Sequence, residues 1–205
     1  MYYLRNITKF DSDKIRKWRN NVSVSKYMHN ENYITKKSHD IWFKNSIKDK
    51  TRHYWIIGYK NIDVGLINIY DIENNHKRCY WGFYIGEDSF RNKGVGSYAE
   101  YALLYYCFDV LKINRLCCEV IDINKRVIEM HKKFGFKEEG IFRSHIIKHD
   151  NYMNVHYLAL LNKDWNLIKK EIGSRLRAKI VVGKLEKNKK DTKNRIIYLE
   201  LPEVL

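Results

Sequence analysis

Apolar and polar positions alternate along the chain in a way that predicts strands and helices. Seven segments rich in β-branched and aromatic residues predict strands, over residues 2–8, 53–59, 62–72, 78–85, 115–121, 136–147 and 152–161. Four segments with apolar residues at helical spacing predict helices, over residues 11–20, 35–48, 96–110 and 124–134. Hairpins beside two strand–helix units indicate an α/β (α+β) fold. We expect a mixed, mostly antiparallel sheet of about seven strands, flanked by about four helices.

The pattern changes after Asn162, where basic residues separate the apolar ones. From Trp165 to Leu176 the apolar residues recur at helical spacing, which predicts an amphipathic basic helix. Residues 184–194 are interpreted as a charged linker, and residues 196–201 as one further strand.

We therefore divide the chain into a domain over residues 1–165 and a basic C-terminal extension over residues 166–205. The formal net charge is +15, and residues 163–195 hold twelve basic and four acidic side chains. Such a charge attracts anions, which include nucleic acids, anionic membrane surfaces and phosphate-rich small molecules. For the extension, a solvated lysine-rich surface without a partner is the alternative.

Composition excludes several classes of protein. With 44% hydrophobic and 14% aromatic residues, the 205-residue chain has enough apolar side chains for a packed core, so it is not wholly disordered. No apolar run approaches the roughly 18 residues of a membrane span. The first ten residues are too polar for a signal peptide, so we expect a cytoplasmic protein. The four cysteines lack metal-ligand spacing, and we expect buried thiols and no metal. They are Cys79, Cys107, Cys117 and Cys118.

A glycine pair between a strand and a helix is the most informative segment for function. Gly94 and Gly96 lack a Cβ, so the backbone there can approach a ligand closely. The N–H groups of residues 93–97 converge at the helix N-terminus, where the dipole favours negative charge. Arg91 and Lys93 add positive charge. These features fit a pyrophosphate cradle, and a tight turn that only begins a helix is the alternative.

Three motifs resemble the GNAT acetyltransferase superfamily. The Arg-x-x-Gly-x-Gly loop at residues 91–96 resembles its acetyl-CoA pyrophosphate motif. The strand that runs into Asn124, with Lys-x-Gly-Phe at residues 133–136, is similar to its strand–Asn–helix signature. Residues 139–143 resemble the subgroup that contains ribosomal-protein N-terminal acetyltransferases and nucleotide-sugar N-acetyltransferases. The resemblance covers roughly residues 1–165.

This resemblance implies a GNAT fold and acetyl-CoA as the cofactor. In the superfamily, the strand before the loop splays from its neighbour and pairs with the pantetheine arm. The residues implied to contact acetyl-CoA are Phe83, Tyr84, Ile85, Arg91, Asn92, Lys93, Gly94, Val95, Gly96, Ser97, Asn124 and Lys133.

The resemblance also implies where protons are transferred. Many members of the superfamily use a tyrosine as general acid on the helix before the Gly-Phe segment, and here that position is His131. Because histidine donates protons near neutral pH, we predict that His131 protonates the leaving thiolate. The alternative is a surface histidine, with the thiolate leaving unassisted. Glu119 is our candidate general base, with Asp71 or a chain of waters as alternatives.

The first helix carries a further resemblance. Trp18-Arg19-Asn20 and residues 26–29 resemble N-acetyltransferases of the pseudaminic acid pathway, which acetylate the 4-amino group of a UDP-linked deoxysugar. An arginine suits a diphosphate because its donors are forked. The residues implied to bind the aminosugar are Arg19, Met28, His29, His39, Trp42, Tyr80 and Tyr84. Taken singly, the apolar ones are as typical of a core, and Arg19 of a surface.

Two other functions stay open at this point. One is acetylation of a protein N-terminus, for which a ribosomal protein is the candidate. The other is binding of RNA or an anionic membrane by the basic extension, on an acetyltransferase scaffold. A basic protein substrate favours an acidic cleft, whereas acetyl-CoA and UDP-sugars are anions that a basic chain attracts. We therefore expect a nucleotide-sugar N-acetyltransferase without a nucleic-acid partner, whose basic helix packs on its own domain or on a second subunit of a homodimer.

Overall fold

The computed structural model describes residues 1–184 and 195–200. The helices of these residues are α1 (Ser12–Asn20), α2 (Val22–Ser25), α3 (Lys36–Ser46), α4 (Val95–Tyr105), α5 (Lys125–Lys133) and α6 (Asn162–Leu176). The strands are β1 (Tyr2–Asn6), β2 (His53–Tyr59), β3 (Ile62–Glu73), β4 (Arg78–Ile85), β5 (Arg115–Ile121), β6 (Lys137–Lys148), β7 (Asn151–Leu161), β8 (Lys179–Lys184) and β9 (Arg195–Glu200).

The nine strands form one mixed sheet, in the order β6-β7-β5-β4-β3-β2-β1-β9-β8. Strands β4 and β5 run parallel, and the other described neighbours are antiparallel. The predicted α/β class and mostly antiparallel sheet are therefore confirmed. Strands β1 to β7 are the seven predicted ones, and β9 matches the further strand expected near the C-terminus. Strand β8 was not predicted, because its few apolar residues lie between basic ones.

Helices cover both faces of the sheet. Side chains alternate between the two faces along a strand, so Trp55 and Ile57 of β2 pack in one core with residues of α4, α5 and α6. Tyr54 and Ile56 point to the opposite face and pack with α1 and α3. This arrangement follows from the alternating apolar pattern of the central strands.

Two helical segments differ from their predicted form. The helix predicted over residues 96–110 is α-helical as far as Tyr105 and continues as a single π turn, Tyr106–Val110. The one-turn helix α2 was missed because four residues are too few to show a helical period. Asn21 caps α2 by accepting a hydrogen bond from the Ser23 N–H at 3.0 Å.

The C-terminal segment packs on the rest of the chain. Trp165 is fully buried in the main core, and its indole Nε1 donates to Asp109 at 2.8 Å. Ile172 is also buried there, and β9 pairs with β1. The boundary predicted at residue 165 thus falls inside α6, and the described part of the predicted extension continues the sheet. Most of the predicted linker over residues 184–194 lies outside the described residues.

The four cysteines are buried and unpaired, as predicted. Within the described ranges, no three metal-ligating side chains lie together. Nor does any helix in that part of the chain have the length and apolar character needed to cross a membrane.

Candidate active site

The site begins where β4 and β5 separate. Their parallel pairing is registered over three positions, from Arg78 opposite Arg115 to Tyr80 opposite Cys117. Beyond that point β4 stays paired with β3 on its other side as far as Ile85, and β5 stays paired with β7. Backbone groups on the two facing edges are therefore free to bind a ligand. A cavity of about 800 Å³ occupies this opening and extends to α1 and α2.

The glycine loop forms one end of the cavity. Gly94 is the N-cap of α4 and has φ of 79°, a left-handed conformation that favours glycine. A Cβ on Gly96 would lie 3.2 Å from Cε2 of Phe83, so glycine keeps this wall open. The first N–H groups of α4 have no intrahelical partners. This end of the cavity therefore fits the pyrophosphate of acetyl-CoA.

Most of the residues predicted to contact acetyl-CoA line this one cavity. They are Phe83, Tyr84, Ile85, Arg91, Asn92, Gly94, Val95, Gly96, Ser97 and Asn124.

Two predicted cationic contacts do not line the cavity, and a third makes hydrogen bonds within the protein. Arg91 lines the cavity, but its guanidinium donates to the Ile85 carbonyl at 2.7 and 3.1 Å and to the Ser23 carbonyl at 3.0 Å. It therefore holds the loop to the end of β4. Lys93 and Lys133 are not among the lining residues, and Lys93 Nζ lies 5.6 Å from the centre of the Phe90 ring. A position beside a motif was therefore not enough to predict what these charges contact.

Three basic residues that were not predicted as site residues also line the cavity, Lys26 after α2 and two at the start of α5. Lys125 and Arg126 begin α5 beside Asn124, and the Arg126 guanidinium donates to the Asn92 side chain. Through Asn92, Arg126 contacts the glycine loop itself. The sequence feature that could have predicted the last two is their position at a helix N-terminus, directly after Asn124.

His131 is buried and lines the cavity, so it is not the surface histidine of the alternative hypothesis. Its Nδ1 lies 2.9 Å from Oε1 of Glu100, and its ring packs edge-on to Trp81 with centroids 4.9 Å apart. Burial raises the pKa of Glu100, although the charge of His131 opposes the shift. Glu100 was also missed. The sequence feature that could have predicted it is that Glu100 is the one carboxylate in the otherwise apolar and uncharged helix α4.

Glu119 lies half-buried in the same cavity, on β5. Desolvation lowers the pKa of His29 and raises that of Tyr70, and in each case the charge of Glu119 pulls the pKa upward. Glu119, His29 and Tyr70 are thus close enough to interact. The alternative base, Asp71, is exposed, forms an ion pair with Arg52 at 3.5 Å and is not a lining residue. Glu119 is the better placed carboxylate.

Arg19 of α1 and Tyr84 of β4 form a polar pair in the cavity, where Tyr84 faces the smaller core on the side of the sheet opposite Phe83. Nη1 of Arg19 and the Tyr84 hydroxyl are both buried, and no described residue bonds to either. Burial lowers the pKa of Arg19, and proximity to Tyr84 counteracts this. Burial also raises the pKa of Tyr84. Two buried donors without partners indicate space for an oxygen-rich ligand.

The other residues that were predicted to bind the aminosugar fall into two groups. Met28, His29 and Trp42 line the cavity with Arg19 and Tyr84. His39 and Tyr80 do not. His39 is buried in the smaller core with its ring 5.2 Å from that of Trp42, and the Tyr80 hydroxyl lies 3.0 Å from that of Tyr157. His39 lies one turn before Trp42 on α3 and is fully covered by its neighbours, and Tyr80 lies where β4 is still paired with β5.

A sheet that splays open beside a glycine loop and a helix N-terminus defines an acetyl-CoA-dependent acetyltransferase. The chain belongs to the GNAT acetyltransferase family, whose "Acetyltransferase (GNAT) domain" matches residues 2–137. GNAT acetyltransferases use acetyl-CoA, which supplies the acetyl group as an activated thioester.

Two curated acetyltransferases are similar to this chain over most of their own length. Acetyltransferase PseH of Campylobacter jejuni is 27% identical over 139 residues, 66% of this chain and 85% of that protein. Spermidine N(1)-acetyltransferase of Escherichia coli K12 is 22% identical over 162 residues, 79% of this chain and 87% of that protein. Among solved structures, the Vibrio cholerae spermidine N-acetyltransferase in complex with CoA and spermine matches with a TM-score of 0.76 and 19% identity. It covers 80% of this chain and 98% of the other, and shows a shared fold.

Proposed function

We propose that this N-acetyltransferase acetylates the amine of a nucleotide-linked aminosugar in the cytoplasm. The acceptor is a UDP-4-amino-4,6-dideoxy-N-acetylhexosamine, as required for pseudaminic acid and flagellin glycosylation. The observation that carries the proposal is the buried, unpartnered pair of Arg19 and Tyr84 in the cavity, on the side of the sheet opposite Phe83. A guanidinium and a phenol at that position suit the diphosphate or hydroxyl oxygens of a nucleotide sugar.

Charge distinguishes this acceptor from a polyamine. The residues that line the cavity include five lysines and arginines but one carboxylate, Glu119. Spermidine and basic peptides are cations, and a cavity with this excess of positive charge repels them. A nucleotide sugar carries two negative charges on its diphosphate and presents one amine. The sequence similarity to PseH supports this acceptor class, and the similarity to a spermidine N(1)-acetyltransferase makes a polyamine the competing acceptor.

The residues that line the cavity have separate roles in acetyl transfer. Glu119 removes a proton from the acceptor ammonium, directly or through water, so that the amine becomes nucleophilic. His131 gives a proton to the departing sulfur. Arg19 and Tyr84 bind the acceptor, and Trp42 and Met28 form an apolar wall for its deoxysugar. The cavity thereby holds both substrates together.

The test is acetyl-CoA-dependent thiol release with four acceptors at equal concentration: the UDP-aminosugar, the same sugar without UDP, spermidine, and N-terminal ribosomal peptides. We expect kcat/KM for the UDP-aminosugar to exceed each of the others by at least about tenfold. Faster release with spermidine or a peptide would overturn the proposal. Equal rates with and without UDP would remove the diphosphate role of Arg19.

A further inference from the structure

A buried glutamate lies beside the cavity and takes no direct part in the chemistry above. Glu100 is fully buried on α4, and its Oε1 lies 2.9 Å from Nδ1 of His131, whose side chain is 3% exposed. The second oxygen, Oε2, is buried and has no hydrogen-bond partner among the described residues. A carboxyl group in such a position is destabilising unless it is neutralised or paired.

The surroundings of this pair are apolar and neutral. The rings of Trp81, Phe83 and Phe136 lie 4.9, 6.3 and 5.5 Å from the His131 ring. Cys118 on β5 is a titratable neighbour of Glu100, and burial raises its thiol pKa well above the ordinary value, so the thiol stays uncharged. Neither the aromatic rings nor the Cys118 thiol carries a charge that could compensate a net charge on Glu100 and His131.

Burial therefore favours the form of the pair that has no net charge. Glu100 and His131 together are neutral when they hold two protons, one on Nε2 and one between Nδ1 and Oε1. Loss of either proton leaves a buried negative charge. Nδ1 is the nitrogen that faces Glu100, so Nε2 is the one left for the cavity that His131 lines.

We propose that Glu100 is a positioning residue that orients His131 and keeps its Nε2 protonated for donation to the departing sulfur. The proposal rests on the acetyl transfer of the proposed function but not on the identity of the acceptor. It explains why a carboxyl group is kept in the apolar face of α4, next to a histidine at the position of the general acid.

The proton balance of the step is complete. Acetyl transfer forms a carbon–nitrogen bond to the acceptor and breaks the carbon–sulfur bond of the thioester. Nε2 gives its proton to the sulfur, and Nδ1–H then donates to the Glu100 carboxylate. The acceptor ammonium loses two protons, through Glu119 and solvent. One of them is balanced by the proton that solvent returns to Nε2, and the other is released.

Nitrogen-15 NMR of histidine-labelled protein, without acetyl-CoA or acceptor, reads the proton on Nε2 directly. His131→Gln assigns the signal. In the wild-type protein at roughly pH 7, we expect Nε2 of His131 to carry a proton. In Glu100→Gln, which keeps the shape but removes the charge, we expect the fraction of molecules with a proton on Nε2 to fall to about half, because an amide can donate to Nδ1 as well as accept from it.

Tyr101→Phe is the matched control. Tyr101 is the buried neighbour of Glu100 on α4, and its hydroxyl donates to the Lys169 carbonyl at 3.3 Å. This variant loses one hydrogen bond without touching His131, so the fraction of molecules with a proton on Nε2 stays at the wild-type value. With the best acceptor, kcat of Glu100→Gln falls about tenfold while KM for acetyl-CoA stays within about twofold.

Three results would overturn the proposal: an Nε2 without a proton in the wild-type protein, the wild-type fraction of Nε2–H in Glu100→Gln, or an unchanged kcat in that variant. The wild-type spectrum decides the question even if Glu100→Gln does not fold. Because the NMR measurement uses no acceptor, inactivity with the UDP-aminosugar would refute the proposed substrate and leave this proposal intact.

Discussion

Nζ of Lys148 donates to the backbone carbonyl of Met28 at 2.8 Å, and so joins the end of β6 to the loop that lines the acceptor end of the cavity. The same ammonium donates to the Lys26 carbonyl at 2.6 Å and pairs with Glu31 at 3.1 Å, although the side chain is 3% exposed. A buried cation with this many partners fixes the loop in one position.

We therefore expect Lys148→Met to loosen the acceptor loop. Loss of the buried donor leaves carbonyls and Glu31 unsatisfied, so the free energy of unfolding falls by about 2 kcal/mol. The acceptor KM rises about tenfold, whereas KM for acetyl-CoA does not change. Urea unfolding and initial rates measure both effects. His149→Ala serves as control, because His149 also pairs with Glu31 but is 83% exposed. An equal rise in the KM values for the acceptor and for acetyl-CoA would contradict a role of Lys148 that is limited to this loop.

We expect Arg19→Met to weaken binding of the acceptor without lowering the stability of the protein. The Arg19 guanidinium is partly buried without a protein partner, so its removal relieves a desolvation cost. We expect Tm to stay the same or rise, while KM for the UDP-aminosugar rises at least about tenfold. Lys17→Met, at an exposed position of α1, is the control. A lower Tm with normal acceptor kinetics would make Arg19 a structural residue.

The glycine loop predicts a defect specific to acetyl-CoA. A Cβ on Gly96 would meet the Phe83 ring at 3.2 Å, in the wall of the cavity. Gly96→Ala should therefore raise KM for acetyl-CoA about tenfold and leave the acceptor KM unchanged. Gly140→Ala is the control, since its added Cβ would have no neighbour within 4 Å. Isothermal titration with CoA checks the binding step. Normal CoA affinity in Gly96→Ala would refute this view of the loop.

Stability should depend on pH through a network around Arg5. Burial raises the pKa of Asp11 and Asp63, but hydrogen bonds from Arg5 outweigh it, so each folded-state pKa lies below the ordinary value of 3.8. Carboxyls of this kind stabilise the protein above the unfolded-state pKa, and the contribution is lost as pH falls through the folded-state value. The free energy of unfolding should therefore decrease below about pH 4.

Urea unfolding at roughly pH 6 and pH 3 measures this dependence. In Asp63→Asn the difference between the two values should be smaller than in the wild-type protein, because one of the shifted carboxyls is gone. Asp150→Asn, at an exposed position, should keep the wild-type difference. An unchanged difference in Asp63→Asn would mean that other carboxyls dominate acid unfolding.

Much of the site could be predicted because its signals are local. A glycine pair before a helix, and an asparagine after a strand, constrain the backbone within a few residues, and both segments lie in the cavity. The cations beside those motifs were harder to place. Arg91 is adjacent to the loop, yet three hydrogen bonds to backbone carbonyls occupy its guanidinium. Sequence spacing gives the position of a long side chain but not the partner it selects.

The sequence by itself determined the seven strands, the main helices, the family and the cofactor, because hydrophobic periodicity and loop motifs are properties of neighbouring residues. Only the tertiary structure decided which side chains share the cavity. Glu100 and His131 are 31 residues apart, and Lys148 reaches a loop 120 residues before it. Such contacts depend on how helices pack against the sheet. Apolar burial drives that packing, and the buried polar groups must then find partners in the geometry that results.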